Sequence, residues 1–226
     1  MKHAPTRNLA LTAIALLALT GCGAQATGSV PEPDPSTPTS AVASSTASAT
    51  EETAKAEETN YSGGSKAPEG EYRAADEHGP AQNVPKPVAP EGMNVESTEA
   101  MLLFIDYWND MRNYAYQTGD VADARKLVDS TFTQEHEFYD AVEELYKSDG
   151  WVIGGQLDIH YNKELLTSLG NGEYSIGSNF ETQDSVIWYQ GEATYNDNSD
   201  SILDGVDFRL KFDNGSWKVL STEVIK

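Results

Sequence analysis

Asp106 and Asp110 stand one helical turn apart, Tyr107, Tyr114 and Tyr116 share their stretch of chain, and Asp158 follows on an expected strand. A carboxylate of raised pKa beside a tyrosine that donates to an oxyanion can move protons. In a chain with 36 Asp and Glu, composition alone supplies such neighbours, and no catalytic residue is assigned. Tyr107, Trp108, Tyr114, Tyr116, Trp188 and Tyr189 could wall a ligand cleft, because clefts combine apolar sides with few polar tips. Aromatic residues at helical spacing also build ordinary cores, and that alternative stays open. His136 and His160 are not in a metal-ligand spacing, and the chain lacks a G-x-S-x-G elbow, a P-loop and a dinucleotide fingerprint. Asn196–Asp204 offers oxygen ligands that suit either Ca²⁺ or a solvated hairpin loop, without the central Gly and final Glu of an EF-hand. No cofactor and no metal is implied.

The other reactive group is the thiol of Cys22, the single cysteine, which excludes an intrachain disulfide. Lys2 and Arg7 precede an apolar run from Leu9 to Leu19, interrupted only by Thr12. A bilayer-spanning helix needs roughly 20 residues, so this run reads as a secretory signal over residues 1–21. Leu19-Thr20-Gly21-Cys22 resembles the lipobox of bacterial lipoproteins. The resemblance implies a diacylglyceryl thioether on Cys22, cleavage before it, and anchoring at the extracytoplasmic face of the cell membrane. Two or three acyl chains, at about 0.8 kcal/mol per buried methylene, give a stable anchor.

Residues 22–93 hold nine of the ten prolines, with Ser, Thr, Ala and the acidic run Glu51–Glu58, and no Phe, Trp or Ile. Such a segment cannot offset its ordering entropy by burial and is expected to be a disordered tether. A plain spacer is one reading; a partner ligand or an O-glycosylated stalk is another. The formal charge of −21 argues against nucleic acid and anionic lipid as partners of the protein surface.

Residues 94–226 carry all four Trp and all six Phe and are expected to form one domain. Ser97 or Thr98 can cap a helix whose apolar side is Met101, Phe104, Ile105, Trp108, Met111 and Ala115, and Gly119 can end it. A short helix over Val121–Val128 follows. A third helix begins at Thr131 or Thr133, turns Phe138, Val142, Leu145 and Tyr146 inward, and stops at Asp149-Gly150. Strands are expected at Trp151–Tyr161 and Tyr174–Gln190, around the Asn171-Gly172 turn. A last hairpin runs Phe208-x-Leu210-x-Phe212, Asn214-Gly215, Trp217-x-Val219.

Asn113-Tyr114-Ala115-Tyr116-Gln117-Thr118-Gly119-Asp120, Gly150-Trp151-Val152-Ile153-Gly154-Gly155 and the Asn214-Gly215…Trp217 ending carry a further likeness. They resemble an actinobacterial lipoprotein family whose C-terminal domain is similar to the nuclear transport factor two fold. The cysteine pair this likeness implies has no counterpart between Asp129 and Phe138. The expected class is α+β, with N-terminal helices packed on one curved antiparallel sheet, a conical cavity between them, and the disordered tether in front. The expected function is non-catalytic binding of a small apolar ligand or an envelope protein. Tyr107, Trp108, Tyr114, Tyr116 and Trp188 are the candidate cavity lining. An acid/base enzyme using a cavity carboxylate and Tyr is one alternative, and a homodimeric structural module is another.

Overall fold

The computed structural model describes residues 66–198 and 202–225, without the side chains of 202–204. Cys22, the signal and the tether up to residue 65 lie outside the described residues. Helix α1 (Thr98–Thr118) starts at Ser97, whose side chain accepts the N–H of Ala100, and ends at Gly119, which adopts a φ of 75° and donates to Ala115 O. A 3₁₀ turn, Ala124–Leu127, leads to α2 (Thr133–Lys147). Seven strands follow: β1 (Trp151–Gly154), β2 (Leu157–Gly170), β3 (Glu173–Thr182), β4 (Ser185–Tyr189), β5 (Glu192–Asn196), β6 (Ile202–Asp213) and β7 (Ser216–Val224).

The strands form two antiparallel sheets, β1-β4-β5 and β2-β3-β6-β7. This overturns the expectation of N-terminal helices packed on one curved sheet, the nuclear-transport-factor-two-like cone. Strand outweighs helix, the strands divide between two sheets, and α1 makes its close backbone approaches to the first strand of each. The physical reason is a pair of matched interruptions. The expected strand from Trp151 to Tyr161 breaks at Gly154-Gly155, where φ reaches 68° and 71°. The one from Tyr174 to Gln190 breaks at Gln183-Asp184. Gly155 N–H donates to Asp184 O and Gln183 N–H to Gln156 O, both at 2.9 Å, and tie the breaks together. A Cβ on Gly155 would lie 2.6 Å from the Tyr116 ring and 2.8 Å from Ser185 Cβ, so only glycine fits this approach.

The core lies between α1 and the four-stranded sheet. Met101, Phe104, Ile105, Trp108 and Met111 meet Ile176, Phe208, Leu210 and Val219, all at most 1% exposed. Trp108 and Phe208 have ring centroids 5.3 Å apart. The opposite face of this sheet is charged: Arg209 pairs with Asp207 at 2.8 Å, Lys211 with Glu173 at 3.1 Å and His160 with Glu181 at 3.3 Å.

Residues 66–93, placed in the tether by composition, make specific contacts with the rest. Ala67, Arg73, Gly79 and Met93 are buried. Asp76 and Gly79 exchange backbone hydrogen bonds across a tight turn, Asp76 O accepts from Trp151 Nε1 at 2.8 Å, and Lys86 pairs with Asp120 and Asp123. Just beyond, Val95 O accepts from Trp217 Nε1 at 3.1 Å, which joins the approach to α1 to the last strand. Among the described residues, no helix is long and apolar enough to cross a membrane.

Candidate functional site

Side chains alternate along a strand, so register decides which residues share a face. In the small sheet Trp151 pairs with Trp188 and Trp188 with Ala193, while Ile153 pairs with Val186 and Val186 with Tyr195. These two rows put Trp151, Trp188, Ala193, Ile153, Val186 and Tyr195 on one face, with no charged side chain among them. Tyr195 is 76% exposed and the other five are half-buried. The opposite face carries Val152, 2% exposed, and Ser185, whose side chain meets the Tyr116 hydroxyl from α1. An inward face of this kind explains the sheet's attachment to the domain. The outward one has no such explanation.

The Trp151 and Trp188 rings lie nearly parallel, 10° apart in plane and 5.8 Å between centroids. The Asp76 turn caps the Trp151 end through the indole hydrogen bond. Trp188 Nε1 is buried and has no hydrogen-bond partner among the described residues. At the other end, Ile153, Val186 and Tyr195 run into an open cleft of about 310 Å³ that also includes Asp184, Ser185, Asn196 and Asp197. Asp184 accepts the backbone N–H of Asn198 at 2.6 Å, which fixes its carboxylate at the rim. The arrangement offers apolar area, aromatic faces and carboxylates. It can bind, and its described residues present no nucleophile–base pair.

Trp188 is the one expected cavity-lining residue on this face. Trp108 is 1% exposed and belongs to the core. Tyr116 lies 5.6 Å from the Phe138 ring, and burial pushes its hydroxyl pKa up. Tyr114 packs under the Lys86 ammonium, 5.5 Å from its ring centroid, and donates to Asp120 at 3.4 Å. Tyr107 is half-buried at the margin of the core. The five do not meet in one cleft.

The acid/base candidates are equally dispersed. Asp106 accepts from Tyr161 at 3.5 Å. Burial, then the neighbouring Asp106, raises the pKa of Asp110. Asp158 is exposed beside His160, and His136 Nε2 lies 3.0 Å from Asp129 O. Among the described residues the buried carboxylate is one that sequence did not single out. Glu135 is 7% exposed and accepts from Arg112 Nε at 2.9 Å. Tyr139 lies beside Glu135 and Trp108, its hydroxyl without a hydrogen-bond partner among the described residues and its pKa raised chiefly by burial and secondly by Glu135. With its charge neutralised, Glu135 fits the joining of α1 to α2 better than proton transfer.

Sequence reasoning missed Trp151, Ile153, Val186, Ala193 and Tyr195 as a set. Their signal is common parity, W-x-I, V-x-W and A-x-Y, with the last two joined by Gln190-Gly191. Of the Asn196–Asp204 loop, residues 199–201 lie outside the described residues. No group of three potential metal-ligating His, Cys, Asp or Glu occurs among the described ones.

Residues 70–223 match the model of a family of unknown function (DUF6318), a span that includes the Asp76 turn and both sheets. No curated protein matches the chain.

Proposed function

The chain belongs to the DUF6318 family, and we propose that it is a lipoprotein whose folded domain binds a partner outside the cell membrane, held there by a lipid on Cys22. The observation that carries the binding role is the uncharged outer face of the small sheet. A small domain gains stability by burying Trp, Ile and Val, yet here two tryptophans, Ile153, Val186 and Tyr195 remain reachable by solvent. Flat aromatic area next to a carboxylate-rimmed cleft suits recognition. The lipobox-like Leu19-Thr20-Gly21-Cys22 supports the anchor.

The other two readings have less support. Catalysis lacks converging groups, since Asp106, Asp110, Asp158 and Glu135 occupy separate environments. Face-to-face pairing through the larger sheet would bury Asp207, Arg209, Glu173 and Lys211.

A photoreactive phenylalanine analogue placed at Tyr195 in cells tests the binding role. The expected product is a discrete cross-link that disappears with Trp188→Ala. Equal cross-linking from a probe at Ser175, on the charged face of the other sheet, would defeat the proposal. Cys22→Ala tests the anchor: the protein is expected to leave the membrane fraction, and unchanged detergent-phase partitioning rejects lipidation.

A further inference from the structure

We infer that β5 is a docking edge for an extended, lysine- or arginine-bearing peptide segment of a partner protein, which adds as a strand beside Ala193 and Tyr195. The inference rests on the binding role proposed for the small sheet and specifies its partner.

The hairpin geometry supplies the first argument. β4 and β5 are joined by Gln190-Gly191, with φ of 53° and 81°, the left-handed pair of a two-residue turn. Such a turn makes Tyr189 and Glu192 a hydrogen-bonded pair, and bonded and non-bonded pairs then alternate. Trp188↔Ala193 and Val186↔Tyr195 are therefore non-bonded pairs. The N–H and C=O groups of Ala193 and Tyr195 point away from β4, to the side of the sheet on which no described strand lies. Among the described residues, β5 pairs with β4 alone.

A second argument comes from what protects edges. Proteins blunt exposed strands with bulges, lysines, prolines or twist. At the edge of the larger sheet, β2 has a register shift between Tyr161 and Leu166 and carries Lys163 and Glu164 there. At the opposite edge, β7 faces a shift between Arg209 and Leu210 and carries Lys218. β5 reads Glu192-Ala193-Thr194-Tyr195-Asn196 and pairs without a shift from end to end. It has no lysine, proline or bulge.

Side chains and charge specify the occupant. An added strand would extend both apolar rows. The small side chain of Ala193 leaves the flank of Trp188 for a larger apolar residue opposite, and Tyr195 receives another. The cleft beneath carries Asp184 and Asp197 and no Lys or Arg, and Glu192 is exposed at the strand's start. A cationic segment complements this rim. A second copy of the chain, at −21, is repelled by it.

The test uses the full-length chain in detergent and a short capped peptide of alternating lysine and valine. Tryptophan emission reads the aromatic face, and amide hydrogen exchange reads β5. Expected are saturable binding, slowed exchange at Ala193 and Tyr195, and at least tenfold weaker binding by Ala193→Pro, which removes an outward-pointing donor and no bond to β4. Independently of how that variant folds, methylating alternate backbone amides of the peptide is expected to weaken binding at least tenfold. Equal affinity of the methylated peptide, or of a glutamate–valine peptide, overturns the inference. An emission shift with unchanged exchange at Ala193 and Tyr195, or a shift with a β-1,4-linked glucose oligomer alone, overturns strand addition and leaves the aromatic-face role standing. No shift with any of the probes overturns both.

Discussion

Arg112 Nε donates to Glu135 Oε1 at 2.9 Å while the guanidinium lies 4.0 Å from the centroid of the Phe138 ring, so one side chain joins α1 to α2 by charge and by stacking. Both partners are largely removed from water, and losing one leaves the other charged and unpaired. Glu135→Ala is expected to destabilise the domain by about 3–5 kcal/mol in urea unfolding. Replacing both, as Arg112→Met with Glu135→Leu, is expected to cost far less. Similar losses in the single and double variants would show that packing, not the ion pair, sets the energy.

Gly155 gives a second expectation. Its φ of 71° and the 2.6 Å approach of an added Cβ to Tyr116 combine backbone strain with a clash. Gly155→Ala is expected to cost about 2–4 kcal/mol in denaturant unfolding. A variant within 0.5 kcal/mol of the parent, roughly what an ordinary surface change gives, would mean that the break between β1 and β2 does not depend on glycine.

The Asp76 turn should loosen when its anchor is removed. Trp151→Phe keeps a ring against Trp188 and deletes the indole donor to Asp76 O. The expected loss is about 1 kcal/mol, with faster amide exchange at Arg73 and Gln82, whose backbones pair across the turn's base. Exchange unchanged there would show that the turn is held by other contacts.

Acid should reveal the acidic clamp around Lys86. Hydrogen bonds from Lys126 and then Lys86 hold the Asp123 carboxyl down at about 2. A depressed carboxylate stabilises the fold above its unfolded pKa of about 3.9, and that contribution is lost as pH falls toward the folded value. Asp123→Asn should therefore lower the melting temperature near pH 6 and make progressively less difference from about pH 4 to pH 2. A penalty that persists undiminished at pH 2 would rule out this linkage.

The helices were legible because their signals are local. Ser97, the three- and four-residue spacing from Met101 to Ala115, and Gly119 are all read within α1 itself. In α2 the spacing favoured Phe138 as an inward residue, whereas Tyr139 is the one fully buried. Arg112 explains the difference, since its guanidinium takes the Phe138 ring and holds it at the margin. The two-sheet arrangement was hidden because Gly154-Gly155 and Gln183-Asp184 acquire meaning only when opposed. The aromatic face was hidden for a related reason. Its parity is written in β1, β4 and β5, but β1 reaches β4 past two intervening strands, and no local pattern announces that pairing.

The Trp217 indole on Val95 has a consequence for how the protein is made. Val219, next but one along β7, also accepts the N–H of Asp129 and is itself wholly enclosed. The lining of the interior is thus completed only once β7, the last of the described strands, has been made. Until then the nascent polypeptide lacks the Trp217 and Val219 members of the cluster that holds Trp108 and Phe208, and contacts that span so much sequence close slowly. A message truncated before Ser216 would yield not a smaller working domain but a sticky intermediate.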